Sequence, residues 1–300
     1  MAALLFLTLA WGYTWILAKI ALREVAPFAF AAQRSLAGAV CLFIALPLMG
    51  RSLRLRGWRK TLIIGAIQTA LFFILQTWTL VESGPGKTAV LIYTMPIWTL
   101  FLGRLILGER IAKTQWVAAT ITLVGLLCII EPWNFHGGKL AIALGVLAAG
   151  SWAWGTMLVK QWRSELNGDL LVFTAWQMMF GAILLCGIAW IVPEPATQWT
   201  THYLLILAAL GIVSNAICWF LWLYVLEHLP AWQASLSILG VPVVALLSSR
   251  LQLDEQLAVV ELIGVALIGC GLLLLSLINW SKSRHEADPK AAPRPDHLSS

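Results

Sequence analysis

Charge is scarce in this 300-residue chain. Asp, Glu, Lys and Arg make up 11% of it and hydrophobic residues 60%, whereas an average soluble domain is roughly a quarter charged. Such a composition excludes a water-soluble globule. Acids are missing above all from the middle of the apolar runs. Glu82, Glu109, Glu131, Glu227, Asp254 and Glu255 gather at run ends, and Glu261 lies within about one turn of an end. The five histidines (His136, His202, His228, His285, His297) fall in expected loops or the tail. A membrane-embedded hydrolase needs an acid, base or nucleophile at membrane depth, so an enzyme is disfavoured. The five cysteines (Cys41, Cys128, Cys186, Cys218, Cys270) lie inside apolar runs without close pairing. That spacing argues against a disulfide framework or a zinc centre. Strand-like alternation, phosphate-cradling glycine loops and metal-ligand clusters are also missing, and neither metal nor cofactor is expected.

What the chain has is apolar length. Runs of about 20 residues, each long enough to cross the hydrocarbon core as a helix, recur near 1–20, 27–49, 61–81, 88–107, 112–131, 139–160, 170–192, 204–226, 232–251 and 257–279. The reading is an all-α polytopic membrane protein of ten transmembrane helices. The first run lacks the basic start and small-residue cleavage site of a signal peptide, and Lys19 ends it, so it reads as a retained helix. The stretch from Lys282 to Ser300 holds Pro289, Pro293 and Pro295 among charged and small residues and reads as disordered.

The net charge of +6 reflects topology more than a nucleic-acid partner. With loops assigned alternately to two sides, one side collects Arg51, Arg54, Arg56, Arg59, Lys60, Arg104, Arg110, Lys113, Lys160, Arg163, Lys282, Arg284, Lys290 and Arg294. The other has only Lys19, Arg23, Lys87, Lys139 and Arg250. The positive-inside rule makes the richer side cytoplasmic, and both termini with it. Trp58, Trp162, Trp199 and Trp280 fit interfacial anchors.

The second half repeats the first. Residues 65–127 laid over 211–273 without a gap match Gly65 to Gly211, Pro96 to Pro242, Arg104 to Arg250, Glu109 to Glu255 and Gly125 to Gly271. Upstream, Arg34 and Gly38 fall on Gln177 and Gly181. Five spans per copy is an odd number, so the copies face opposite ways. The expected units are a first repeat over 1–135, an inverted second repeat over 136–280 and a cytoplasmic tail over 281–300. Duplicated polytopic proteins of this kind are characteristically carriers, with the site at the seam between the copies.

Uncharged polar and aromatic groups mark candidate cavity walls: Trp11, Thr14, Gln68, Gln76, Tyr93, Trp98, Trp154, Gln177, Asn215 and Trp219. The same spans also carry Tyr13, Trp15, Thr69, Thr77, Thr79, Thr94, Ser151, Trp152, Thr156, Ser214, Trp222 and Tyr224. Amides facing lipid are expensive, so Gln68, Gln76, Gln177 and Asn215 are expected to point inward. They either line a cavity or join helices by hydrogen bonds. Arg34 is the one cation well inside a span. It needs an anionic or carbonyl partner, which is either a helix terminus or a substrate carboxylate. Pro96 and Pro242 remove donors in mid-span and predict kinks at matched places, either flexing points for alternating access or static bends that fit the bundle. The Arg104/Glu109 and Arg250/Glu255 pairs read as caps of their helices or ties from each helix to the next.

The run Pro96-Ile-Trp-Thr-Leu-Phe to Gly108-Glu109-Arg110, followed by Gly125, resembles the end of a repeat of the EamA family in the drug/metabolite transporter superfamily. Pro242 to Asp254-Glu255, with Gly264 and Gly271, resembles it again. Trp11-Gly12 to Lys19 and Trp152-Ala-Trp-Gly-Thr to Lys160 are similar to its opening helices, and Trp222-Leu-Tyr224 to Leu229-Pro230 to its eighth helix. The likeness spans about residues 1 to 280. It implies ten helices as two inverted five-helix repeats around a central cavity, inner-membrane location, and export of amino acids or other metabolites. YddG-like aromatic amino acid exporters are the nearest comparison. Short multidrug relatives couple to protons through a glutamate in the first helix, and this chain has none there. Phosphate-carrying relatives imply several cavity Lys or Arg, and only Arg34 is available. The expected function is thus a metabolite exporter, for aromatic or other neutral amino acids, working by alternating access as a monomer in the lipid bilayer. A carrier of drug-like amphiphiles is the alternative, and a non-transporting scaffold or receptor a more distant one.

Overall fold

The structure, a computed structural model, describes residues 2–83, 85–109, 112–130, 139–166, 168–253 and 258–286. Arg110, Glu131, His136, Asp254, Glu255 and the tail beyond 286 lie outside these residues, as do the side chains of Arg250 and Trp280. The described residues form helices and no strand. In the first half these are α1 (Ala2–Ala21), α2 (Pro27–Leu48), α3 (Trp58–Ile64), α4 (Phe72–Ser83), α5 (Pro85–Ile92), α6 (Met95–Leu107) and α7 (Lys113–Ile130). In the second half come α8 (Lys139–Gln161), α9 (Leu170–Ile191), α10 (Thr201–Ala209), α11 (Cys218–His228), α12 (Ala231–Ser237), α13 (Gly240–Leu253) and α14 (Val259–Glu286). The last helix extends past residue 280 into the segment expected as tail.

Six continuous helical stretches are long and apolar enough to cross a membrane, and four shorter apolar helices accompany them. Leu9, Ile44, Leu147, Ile183 and Leu205 stand exposed on the outside. An apolar outer surface suits lipid, and backbone that must pair within its own segment in lipid explains why every span is helical. The chain is a multi-pass membrane protein.

Two features differ from the sequence expectation. First, α3 runs into α4, and α10 into α11, through π-helical stretches at Gly65–Leu71 and Leu210–Ile217. Plain α-helix was expected there. These wider turns fall at matching places in the two halves. Second, Pro96 and Pro242 do not kink continuous helices. The chain ends one helix at Ile92 and starts the next at Met95; it does so again between Ser237 and Gly240. Proline has no N–H to donate to the carbonyl four residues back, here Ile92 and Ile238, and its ring clashes there; it is tolerated in a first turn, where its missing N–H would be unpaired anyway. Pro96 and Pro242 both sit in such first turns, so two broken spans replace two bent ones.

Packing follows the same correspondence. Helix α1 lies against α13, as α8 lies against α6; α2 crosses the 210–217 stretch, as α9 crosses 65–71. Helices α2 and α9 pack on each other, as do α7 and α14. Glycine permits the tightest crossings. A Cβ on Gly38 would come within 2.7 Å of the Asn215 Cβ and 3.1 Å of the Gly211 carbonyl oxygen. In the counterpart crossing, a Cβ on Gly65 would stand 2.7 Å from the Gln177 carbonyl oxygen.

The N-termini of α2 and α9 are capped alike. Glu194 accepts from the Phe28 and Ala29 amides at 3.0 and 2.8 Å. Asp169 accepts from the Leu171 and Val172 amides at 2.9 and 3.4 Å, and pairs with Arg51 at 2.9 Å. A carboxylate there satisfies orphan donors and meets the positive end of the helix dipole.

Candidate functional site

The broken spans face a cavity in the middle of the molecule. Its wall takes Trp11, Thr14 and Trp15 from α1, Arg34 from α2, and Phe72, Phe73 and Gln76 from α4. Ile92, Tyr93 and Met95 come from the first break, Ile238 from the second, and Trp152, Ser214 and Trp219 from α8, the second π stretch and α11. The free space is about 50 Å³, enough for a few waters.

Aromatic rings build most of this wall. Trp152 is the hub, with ring centroids 5.7 Å from Trp11, 4.8 Å from Phe72 and 5.1 Å from Trp219. Phe73 joins Trp219 at 5.7 Å. The edge-to-face and tilted arrangements suit the ring quadrupoles. One ring is fixed by a polar group: the Trp11 Nε1–H donates to the Ser214 carbonyl at 3.2 Å. Other polar atoms of the wall have no partner among the described residues, namely the Gln76 Oε1, the Trp152 Nε1–H and the Arg34 Nε–H. Unpaired buried polar atoms are rare enough to require a reason.

Arg34 is 4% exposed. Its guanidinium carbon stands 4.1 Å from the Phe73 ring centre and 5.5 Å from that of Phe30. No carboxylate or helix-terminal carbonyl of the described residues accepts a hydrogen bond from it. Its backbone carbonyl accepts from the Asn215 Nδ2 at 3.0 Å, which ties α2 to the second π stretch.

Of the residues singled out from the sequence, Trp11, Thr14, Gln76, Tyr93 and Trp219 come together at the cavity. Gln68, Gln177 and Asn215 are fully buried but sit at helix crossings. The Gln177 Nε2 donates to the Gln68 Oε1 at 3.0 Å, and the Gln68 Nε2 to the Thr156 Oγ1 at 3.1 Å. These amides join helices, the second of their two expected roles. Trp98 is half-buried beside Gly150, and Trp154 is 49% exposed on the outer surface; neither lines the cavity. Pro96 and Pro242 stand just beyond the breaks that do. Arg34, Trp15, Phe72, Phe73, Trp152 and Ser214 complete the wall. Trp15, Trp152 and Ser214 belong to the polar and aromatic population visible in these spans, whereas the two phenylalanines carry no mark in an apolar run.

A second, wider space of about 540 Å³ lies where α6, α8 and α11 end and α9 begins. Most of its polar groups are engaged with the protein, although the Glu109 Oε2 has no partner among the described residues. Lys160 donates to the Leu229 carbonyl at 2.6 Å, Arg163 pairs with Glu227, and Glu109 accepts from the Ala231 amide at 2.9 Å. Glu109 therefore ties the end of α6 to the start of α12, a helix remote in sequence.

Known proteins match this chain along almost its whole length. The sequence pattern of the EamA-like transporter family covers residues 1–131 and 139–277. An uncharacterized transporter of Bacillus subtilis, YoaV, is 31% identical over 91% of this chain and 95% of its own. A probable amino-acid metabolite efflux pump of Escherichia coli is 26% identical over 93% and 95%. Among solved structures, a crystal structure at 19% identity superposes with a TM-score of 0.78 over 96% of this chain and 98% of that one; this likeness speaks to the fold.

Proposed function

Because the chain belongs to the EamA-like transporter family, we propose that it exports small metabolites across the inner membrane, neutral and especially aromatic amino acids, by alternating access. The observation that carries this reading is the central cavity, walled by tryptophans and met by both broken spans. Discontinuous helices put backbone ends and hinges at a binding site, as carriers require. Aromatic walls suit an apolar side chain, and a few polar groups suit charged ends. Relatives named as amino-acid metabolite efflux pumps and as inner membrane transporters support the cargo and the location.

We also read the molecule as ten spans in two inverted five-span units, with both termini cytoplasmic. The exchange of partners between α1/α13 and α8/α6, and the matching π stretches and breaks, support a two-fold relation between the halves. An odd number of spans per unit then gives opposite orientation. The small free space in the cavity supports reading this as a contracted state that opens as the halves rock about α5/α6 and α12/α13.

The test is a comparison of metabolites in the medium of cells with and without the protein, followed by reconstitution into liposomes. Accumulation of neutral amino acids outside producing cells, and their movement in liposomes, is the expected result. A folded protein that moves none of them would remove the cargo assignment.

A further inference from the structure

We propose that Arg34 is the carboxylate anchor of the cavity, and that the cargo is a carboxylic acid with an apolar body seated among Trp11, Trp152 and Trp219. This rests on the export reading above and narrows it to a chemical class.

The argument begins with an electrostatic deficit. A guanidinium at membrane depth requires a partner. The side chains facing Arg34 at the cavity are aromatic, apolar or uncharged, and none is an acid. Contact with the Phe73 and Phe30 faces supplies part of what water would, through the ring quadrupoles. It leaves the N–H donors unused, Nε–H among them. Two acids near the start of α2 are engaged elsewhere: Glu194 on the Phe28 and Ala29 amides, Glu24 on Thr200 and His202. Asn215 grips the Arg34 backbone, so the side chain is held at the wall by a fixed main chain.

The other unpaired groups at the wall state what is missing. Arg34 and Trp152 are donors without acceptors, and Gln76 offers an acceptor without a donor. A carboxylate fills the first need, since planar guanidinium matches its two oxygens. An ammonium on the same molecule would find the Gln76 oxygen and the indole faces. One fixed positive charge with no opposing acid disfavours a cationic amphiphile. A phosphate dianion would call for more cations than this wall has.

The experiment has two arms. In the first, purified protein is melted with L-phenylalanine, 3-phenylpropionate, phenylalaninamide or phenethylamine. The two acids are expected to raise the melting temperature at concentrations at least about tenfold lower than the amide and the amine, the worth of one charge-assisted hydrogen bond. Arg34→Met should abolish that difference and Arg34→Lys keep part of it. Stabilisation by none of the four, or equal stabilisation by the amine, overturns the proposal. This comparison needs only the wild-type protein, so a poorly folding Arg34→Met does not stop it. In the second arm, media from cells producing wild type, Arg34→Met or neither are compared. Export by wild type of an acid that a folded Arg34→Met fails to export is the expected outcome. Equal export by Arg34→Met overturns the anchor and leaves the export reading intact; a wild-type cargo without a carboxylate overturns both the anchor and the amino-acid cargo, leaving only export itself. Export of nothing by wild type removes both.

Discussion

Gln177 donates to Gln68 across 3.0 Å, and this bond separates the chemistry of the two halves. In the sequence overlay Gln177 falls on Arg34, and Gln68 on Ser214. At one crossing, therefore, two long amides reach each other. At the other, a serine is too short to engage a guanidinium, and its carbonyl is taken by Trp11. Arg34 is left facing the cavity. Two corresponding positions of the overlay thus carry different chemistry, and only one of them puts a charge at the cavity.

The Gln68–Gln177 bond is best tested by a double-mutant cycle. Each amide is fully buried, so replacing one with leucine strands the other in an apolar place. Gln68→Leu and Gln177→Leu should each destabilise the protein by about 1–3 kcal/mol. The double variant should lose less than the two together, with a coupling of about 0.5–2 kcal/mol as for other membrane hydrogen bonds. Thermal melts in one detergent measure this. Strict additivity would mean that the bond contributes nothing.

The glycine crossings give a steric prediction. Gly38→Val drives its side chain into Asn215 and the Gly211 carbonyl, both backbone-fixed neighbours. Overpacking of this kind costs about 1–3 kcal/mol, and the loss should appear as a lower melting temperature or lower yield. Gly187→Ala, where nothing lies within 4 Å, should behave as wild type. Equal tolerance of both would contradict the close crossing of α2 with the second π stretch.

The apolar runs foretold the positions of the helices closely, because lipid leaves the backbone few alternatives. Pro96 and Pro242 marked the right places, but a proline signals a local interruption and does not say whether the chain bends or breaks. The π stretches had no mark, since one extra residue in a turn leaves composition unchanged. Which polar groups would line the cavity was the least legible feature. Trp152 and Trp154 are two residues apart, which turns them roughly 200° around a helix; one became the hub of the wall and the other faces outward. A helix apolar on every side carries no amphipathic phase to choose between them. Likewise, the partner of Gln68 lies 109 residues away, beyond any local pattern.

That contrast sets a functional test of the cavity. Gln76→Leu removes an unpaired wall acceptor, and Trp219→Ala removes a wall ring. Each should reduce transport of the exported metabolite about tenfold, the effect of losing one good contact. Trp154→Leu alters an exposed ring and should transport as wild type. Initial rates in liposomes, corrected for protein content, decide. A stronger effect at Trp154 than at Trp219 would displace the site from this cavity.

The loop between α1 and α2 carries a prediction about pH. The Glu24 carboxylate accepts from the Thr200 hydroxyl and contacts the His202 Nδ1 at 2.6 Å, while the Gln198 amide donates to the Glu24 carbonyl at 2.8 Å. Hydrogen bonding from Thr200, then from His202, holds the carboxyl below its ordinary value of 4.5. A depressed folded pKa means that the carboxylate stabilises this junction fully above the unfolded pKa, and that the contribution is lost as pH falls through the folded one. Glu24→Gln should therefore lower the melting temperature near neutral pH, while His202→Ala removes one of the two partners and should reproduce part of the effect. The gap between wild type and Glu24→Gln should stay constant from pH 6 down to the ordinary carboxylate range of about 4 and close below it. Melting curves across that range at fixed ionic strength measure the gap. A gap that widens on acidification would mean that Glu24 is destabilising as an anion, opposite to what its contacts require.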